Sequence, residues 1–376
     1  MNEPTISPSS SHGTRPFDAR PALVRAACLL PALVAAASVA CGEVTSVPGD
    51  DASTEAGSPP VDAAPGEDGD SLAPPGADAA PLDHCAAVAA SVTEAGFGAT
   101  VGVRCDSEYA YVSGDTYPTH AKMDGITGTN DQVPVPAPGY VSPIRLAPKV
   151  AAKPTTIDAA LGVAVNGVPI YDYSSQGALD PSVYDPKFDT KATGELDVCN
   201  GHSGRGDDYH YHAAPTCMMA AMKNAGPRAI LGWGFDGYPI YGNSNPDGTP
   251  IAAGELDVCN SKPDPTFGRR YHTSDAHPYI VQCLVGEIDA AKAPRVSPLT
   301  KQGGGGGRPP GQKPPGGVQN LKLVEQSDGS RTMTYEHGGQ TYSIAYRLST
   351  TPRCWDFEDR SYSTGGVLQR GTYCRP

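Results

Sequence analysis

The chain has 376 residues and a formal net charge of −13, which argues against nucleic-acid binding because phosphate contacts require a basic surface. The chain contains 44 glycines and 38 prolines. Together they form a far larger share of the chain than the average of about 12 percent for these two residues, so a compact helix-rich domain is not expected over most of the chain. The predicted fold class is mainly β and rich in loops, with short helices.

The first predicted element is an export signal. Several arginines precede an apolar stretch from Ala26 to Ala40, an arrangement that is typical of a secretory signal peptide. The stretch is shorter than the roughly 20 residues that a spanning helix needs. The small residues before Cys41 resemble a bacterial lipoprotein signal, with Ser38 where leucine is usual. Residues 1–40 are therefore predicted to be removed and Cys41 to be lipidated, and cleavage without lipidation would give a secreted protein.

An acidic segment follows the predicted lipidation site. Between Gly42 and Asp83 the chain consists largely of Ala, Pro, Gly and Ser, with ten acidic residues and no Lys or Arg. Such a composition cannot bury enough apolar surface to offset the entropy of ordering. Residues 41–83 are thus expected to form a disordered tether, and the expected partner at its lipidated end is a membrane.

Eight cysteines lie beyond the signal region, and an even number behind an export signal suggests disulfides. Eight cysteines allow many pairings, but their spacing favours neighbours. No CxxC occurs, which disfavours a cysteine-based zinc site or a thioredoxin-like motif. The favoured pairs are Cys85–Cys105, Cys199–Cys217, Cys259–Cys283 and Cys354–Cys374.

An internal repeat organises the middle of the chain. The seven-residue sequence Gly194–Asn200 recurs as Gly254–Asn260, and a similar phrase precedes each copy, at Asn166–Tyr171 and Asp236–Tyr241. Two copies are too few for a solenoid, so a pseudo-twofold globular domain with a shared core is expected. The copies span about 160–225 and 226–286, within a domain predicted at 84–300.

Short apolar or alternating runs predict strands in this domain, and one stretch predicts a helix. The helix is expected from about Pro215 to Asn224, because Pro suits the first turn and Gly226 can end it. The predicted strands are Ala160–Val165, Ala229–Phe235 and Tyr279–Val285.

A Gly/Pro-rich segment, 301–317, is predicted to be a flexible linker. Beyond it, Met333–Tyr335 and Tyr342–Tyr346 flank a His-Gly-Gly sequence and predict a hairpin. Residues 318–376 are therefore expected to form a small β module.

Candidate metal ligands concentrate at the end of the first copy. On a strand, His210 and His212 would point to the same face, and His202 could return across the Gly-rich loop as a third nitrogen. Asp207 or Asp208 could add an oxygen or orient a histidine. Three imidazoles with an open position suit zinc or copper as the cofactor. The alternative is that these histidines are hydrogen-bonded structural residues.

These residues also carry a resemblance. The tetrapeptide Tyr209-His210-Tyr211-His212, preceded by Gly-Glu-Leu-Asp-x-Cys-Asn-Gly-His, resembles the YHYH domain family of exported proteins. The resemblance runs from about Tyr109 to Gly286 and includes Tyr117-Pro118-Thr119-His120. It implies a YHYH domain and export but no reaction. The second copy departs from the tetrapeptide with Arg269-Arg270-Tyr271-His272.

Two functional classes follow from these observations, and the sequence does not decide whether the protein is an enzyme. A metal held by the three histidines would activate water or, if copper, support redox chemistry. Alternatively, the Tyr and His residues form a hydrogen-bonded core or a surface that binds glycans or small polar ligands. The preferred prediction is a cell-surface lipoprotein whose first copy holds a metal, because the cations Arg269 and Arg270 make the second copy unsuitable.

We expect the chain to be lipidated through Cys41, because two or more acyl chains give stable membrane attachment. Metabolic labelling with a fatty-acid analogue should label the wild type and not Cys41→Ala. Absence of label on the wild type, or equal label on both proteins, would contradict the prediction.

Overall fold

The computed structural model describes residues 82–308 and 311–376. The predicted signal peptide, Cys41 and the acidic segment up to residue 81 lie outside these residues. The predicted mainly β class is confirmed, since most of the regular elements are strands. Within the described ranges, no helix combines the length and the apolar character that crossing a membrane requires.

The described part begins with a helix and the strands of two small sheets. The helix α1 starts at Asp83, whose Oδ1 accepts a hydrogen bond from Ala86 N at 2.9 Å, and it ends at Gly96 with φ 94°. Glycine takes this left-handed conformation without steric cost. Sequence patterns do not predict this helix. The elements are α1 (His84–Ala95), β1 (Gly102–Cys105), β2 (Tyr109–Gly114), β3 (Tyr140–Arg145) and β4 (Val150–Thr155).

The duplicated region, residues 160–286, supplies the next strands and a second helix. Two of the predicted strands contain observed ones, whereas only the end of Tyr279–Val285 is a strand. The predicted helix is present but shorter, because Met222 already has extended backbone. The elements are β5 (Gly162–Ala164), β6 (Pro169–Ile170), β7 (Gly201–Ser203), β8 (Tyr209–Tyr211), α2 (Thr216–Ala221), β9 (Gly232–Gly234), β10 (Pro239–Tyr241), β11 (Ser261–Asp264), β12 (Gly268–His272) and β13 (Leu284–Gly286).

The two copies build one eight-stranded sheet in the order β7-β8-β6-β5-β9-β10-β12-β11. Each copy contributes four strands in the same sequence from the centre outward. At the centre, β5 and β9 pair antiparallel and place Val163 opposite its repeat equivalent, Trp233. The predicted pseudo-twofold domain with a shared core is thus confirmed. Trp233 also donates a hydrogen bond of 3.0 Å from Nε1 to Ser91 Oγ, which joins α1 to the sheet.

The C-terminal part is a six-stranded sheet in the order β14-β19-β18-β17-β16-β15. The predicted hairpin is confirmed as β16 and β17, with His337 opposite Gln340. Two short 3-10 helices, Ala290–Lys292 and Tyr362–Thr364, lie before and within this part. Its strands are β14 (Thr300–Lys301), β15 (Gln319–Glu325), β16 (Arg331–His337), β17 (Gln340–Leu348), β18 (Cys354–Arg360) and β19 (Gln369–Cys374).

The C-terminal sheet contacts the rest of the described residues, with which it belongs to one compact unit. The Tyr346 hydroxyl donates to Pro134 O at 2.5 Å. Within the predicted linker, Lys313 Nζ donates to Glu195 Oε1 at 2.6 Å. The domain boundaries expected from composition stay a prediction.

The structure pairs the eight cysteines as neighbours, so each copy of the repeat contains its own disulfide. In the first copy Cys199 and Cys217 are 18 positions apart, and in the second Cys259 and Cys283 are 24 apart. The other two disulfides are Cys85–Cys105, which ties α1 to β1, and Cys354–Cys374, which ties β18 to β19.

We expect loss of the first-copy disulfide to lower the free energy of unfolding by about 3 kcal/mol, because the unfolded chain regains the entropy of an open loop. Urea unfolding of the double variant Cys199→Ser/Cys217→Ser measures this change. Non-reducing peptide mapping of the variant should still find Cys259 bonded to Cys283. A disulfide-linked peptide joining the two copies in the wild type would refute the pairing.

Candidate functional site

A tight turn positions the strands of the first-copy hairpin. Asp197 Oδ1 accepts hydrogen bonds from Cys199 N at 2.9 Å and from Gly201 N at 3.0 Å. Asn200, between them, has φ 65°, a conformation that asparagine tolerates better than most residues. His212 N then donates to Asn200 O at 3.1 Å. The repeated sequence Gly-Glu-Leu-Asp-Val-Cys-Asn is therefore the turn that starts β7.

The hairpin of β7 and β8 gathers three histidines on one face. His202 and His210 are directly paired across the hairpin, so their Cβ atoms are about 5 Å apart. His212 lies two residues beyond His210, and extended backbone directs alternate side chains to the same face. The structure thus places the three imidazoles on one face of the hairpin.

The three histidines form a compact, buried cluster. His202 Nε2 lies 3.0 Å from His212 Nε2, and one ring nitrogen from each residue lies within 4.8 Å of the others. The residues are 8%, 5% and 3% exposed for His202, His210 and His212. Nitrogen ligands on a tetrahedral zinc stand about 3.3 Å apart, given Zn–N bonds of about 2.0–2.1 Å. This group of nitrogens could therefore hold a metal ion.

Contacts behind two of the rings determine which nitrogen faces the cluster. His212 Nδ1 donates to the carbonyl oxygen of Asp172. His210 Nδ1 is 3.2 Å from Asp208 O and 3.5 Å from Asp208 Oδ2. An imidazole that donates through Nδ1 keeps a free electron pair on Nε2. A carbonyl or carboxylate behind the ring is the usual support of a metal-binding histidine.

The electrostatics of the cluster favour the neutral form of His202 and of His212. Burial, reinforced by the neighbouring His210 and His212, lowers the pKa of His202 well below 6.5. Burial also lowers the pKa of His212 to about 3, with a further contribution from His210. Neutral imidazole is the form that binds a metal.

The two predicted carboxylates take different positions. Asp208 stands behind His210, as the preceding distances show. Asp207 faces away from the cluster, and its Oδ1 pairs with Arg308 Nη2 at 3.1 Å. The ring of Tyr171 packs against the cluster, with its centroid 4.5 Å from that of His210.

Gly204 allows the close approach of His210. A Cβ atom at position 204 would overlap His210 Cε1, so any side chain there would displace the imidazole. The glycine of the loop is thus required by space at the cluster and not by its own backbone conformation.

Two buried arginines from the C-terminal part hold the loop that precedes β8. Arg375 donates to the carbonyl oxygens of Gly206, of Asp207 at 2.8 Å and of Val135 at 2.6 Å. Arg308 binds the Asp207 carboxylate and also Asp359, at 3.2 Å. No motif predicts these contacts, which join residues that lie 51 or more positions apart.

The second copy places cations where the first has histidines. Lys262 and Arg270 are paired across β11 and β12, in the register of His202 and His210. Arg270 Nε donates to His272 Nε2 at 2.9 Å, and Arg270 Nη1 pairs with Asp264 at 2.8 Å. The Arg270 guanidinium is therefore bound to Nε2 of His272, whereas the equivalent atom of the first copy, His212 Nε2, faces the other imidazoles.

The tyrosines of the tetrapeptide lie on the other face of β8. Tyr209 donates from its hydroxyl to Asp197 Oδ2 at 2.8 Å. The Tyr211 hydroxyl is 2.6 Å from His120 Nε2 and 3.0 Å from Asn166 Nδ2. His120 enters the sequence argument only through the Tyr-Pro-Thr-His phrase, and the structure brings it to this network.

His120 also lies near the disulfide of the first copy, and its ring, Cys199 and Cys217 form a second group of potential ligand atoms. Both sulfurs are bonded to each other and cannot act as thiolate ligands. This second group is therefore a poor metal site.

The comparisons with known proteins agree with the resemblance seen in the sequence. Residues 142–250 match the family described as YHYH protein, so the chain carries a YHYH domain. The match contains the tetrapeptide and the start of the second copy. No curated protein and no solved structure is detectably similar to the chain.

We expect Arg308→Ala to lower the free energy of unfolding by about 3–5 kcal/mol, because it leaves the buried Asp207 carboxylate without its partner. Arg370→Ala, which removes an exposed ion pair with Glu358, is the matched control and should cost at most about 1 kcal/mol. Chemical denaturation compares the two variants. Equal effects would show that Arg308 does not support the loop.

Proposed function

We propose that this YHYH-domain protein is an exported, lipid-anchored protein that binds a transition metal, zinc or copper, through His202, His210 and His212. The observation that carries the proposal is the mutual approach of three ring nitrogens within 4.8 Å. When bound, the metal would supply an activating centre for water or, if it is copper, a redox centre.

The residues around the cluster fit such a metal. Asp172 and Asp208 support the rings of His212 and His210 from behind, which presents Nε2 of each toward the cluster. The three histidines bring no charge of their own when neutral, so a divalent cation would meet no repulsion from them. Asp208 adds a carboxylate next to His210.

The proposed location rests on separate observations. Four disulfides fit an oxidising compartment outside the cytoplasm. The predicted signal peptide and Cys41 are consistent with attachment to the membrane surface through lipid, with the YHYH domain outside the cytoplasm.

One observation favours a second candidate function. The separation of 3.0 Å between His202 Nε2 and His212 Nε2 is also that of an ordinary hydrogen bond. The cluster would then be part of a structural Tyr/His core in a non-enzymatic binding module. The two functions differ in whether the folded protein takes up a metal.

We expect wild-type protein purified from an oxidising compartment to bind one zinc or copper ion per chain. His210→Ala and His212→Ala should each abolish stoichiometric binding, because each removes a ligand nitrogen. Elemental analysis after dialysis against the metal, together with titration calorimetry, provides the measurement.

His272→Ala is the matched control, since it removes the equivalent imidazole of the second copy. It should keep full metal binding and lower stability by about 1–3 kcal/mol, because Arg270 loses an acceptor. Metal-free wild type, or loss of metal in His272→Ala as complete as in His210→Ala, would favour the structural function.

A further inference from the structure

A cleft of about 870 Å³ opens on the side of the protein that carries the Tyr211 network. This volume is in the range of about 300–1,000 Å³ that is usual for small-molecule sites. His120 and Asn166 both line it, and neither residue belongs to the histidine cluster. The cleft therefore has no role in the proposed metal site and requires its own explanation.

Residues from three separate sequence motifs meet at the wall of this cleft. His120 Nδ1 donates to Ala121 O at 2.6 Å, so its Nε2 accepts from the Tyr211 hydroxyl. The same hydroxyl accepts from Asn166 Nδ2. Because Tyr211 is fully buried, it fixes the two lining side chains from behind. Asn166 Oδ1 accepts from Val168 N at 3.4 Å, so the side chain keeps its second amide hydrogen and one oxygen lone pair for a ligand.

The two cations of the cleft share one carboxylate, Glu325. Lys122 is 5% exposed, pairs with Glu325 and lies 4.2 Å from the centre of the Tyr117 ring. Arg331 lies 4.6 Å from the same ring, and its Nε is 3.6 Å from Glu325 Oε2. Asp115 places an exposed carboxylate at the same cleft. The cleft is thus lined by two cations, Lys122 and Arg331, and two carboxylates, Asp115 and Glu325, whose charges cancel, which favours a neutral ligand.

Apolar and hydroxyl groups line the same space. Phe97 and the exposed Ala221 supply apolar surface, and Ser113 and Thr119 supply hydroxyl groups. A pyranose ring has both an apolar C–H face and a rim of hydroxyl groups, so it matches this mixture better than a wholly apolar ligand does. We propose that the cleft binds a short neutral saccharide, with Asn166 as its fixed polar contact and the His120 ring, whose two nitrogens are both bonded within the protein, as part of the wall.

Titration calorimetry of the full mature chain with maltohexaose, cellohexaose and chitohexaose tests this proposal. At least one of the three should bind, and Asn166→Ala should weaken that binding at least tenfold. Asn243→Ala, at an exposed asparagine outside the cleft, is the matched control and should bind like the wild type. Chelator-treated protein should bind equally well, which separates this result from the metal site.

A second variant keeps the test valid if Asn166→Ala fails to fold. Thr119→Trp adds bulk at an exposed position of the cleft without touching the Tyr211 network, and it should also block binding. Inorganic phosphate, an oligogalacturonate and a neutral Gly-Ser peptide serve as comparison ligands. Binding of none of the three saccharides, preference for any comparison ligand, or wild-type affinity in folded Thr119→Trp would overturn the proposal.

Discussion

The alternation of side chains along β8 is the constraint on which both candidate sites depend. Because successive residues of an extended strand point to opposite faces, the tetrapeptide divides into two histidines and two tyrosines. His210 joins the buried imidazole cluster on one face. Tyr211 fixes His120 and Asn166 at the cleft on the other. One short strand therefore separates two chemically different environments. A shift in the register of β8 would disturb both of its faces at once.

The duplication provides an internal comparison for the cluster. Both copies keep the contact behind the last histidine, since His212 Nδ1 meets Asp172 O and His272 Nδ1 meets Gly242 O at 2.8 Å. What differs is the group in front of the ring. In the second copy Arg270 brings a permanent positive charge to that place. The same backbone frame thus surrounds neutral ligand atoms in one copy and a resident cation in the other.

Local patterns predict much of this molecule, and long-range contacts account for what they miss. The seven-residue repeat and the period of two lead to the pseudo-twofold sheet and to the facing of His210 and His212. The same period places the Asp208 side chain on the face of His210. The side chain of the neighbouring Asp207 then lies on the opposite face, where it pairs with Arg308. Arg308 itself could not be anticipated, because a charged residue in a Gly/Pro-rich segment has no local feature that distinguishes a buried partner from a solvated one. Only tertiary packing decides between these environments.

The close approach of His210 to Gly204 has a consequence for how the two copies diverged. Gly204 of the first copy is equivalent to Asp264 of the second, and Asp208 is equivalent to Gly268. The glycine and the acid have thus exchanged places between the two copies. Asp264 balances Arg270, and the same acid at position 204 would collide with His210. Recombination that exchanged one strand between the copies would create either a steric clash or an unpaired buried charge. The side chains of each hairpin therefore fit one another, and exchanging one strand would require a matching change on the other.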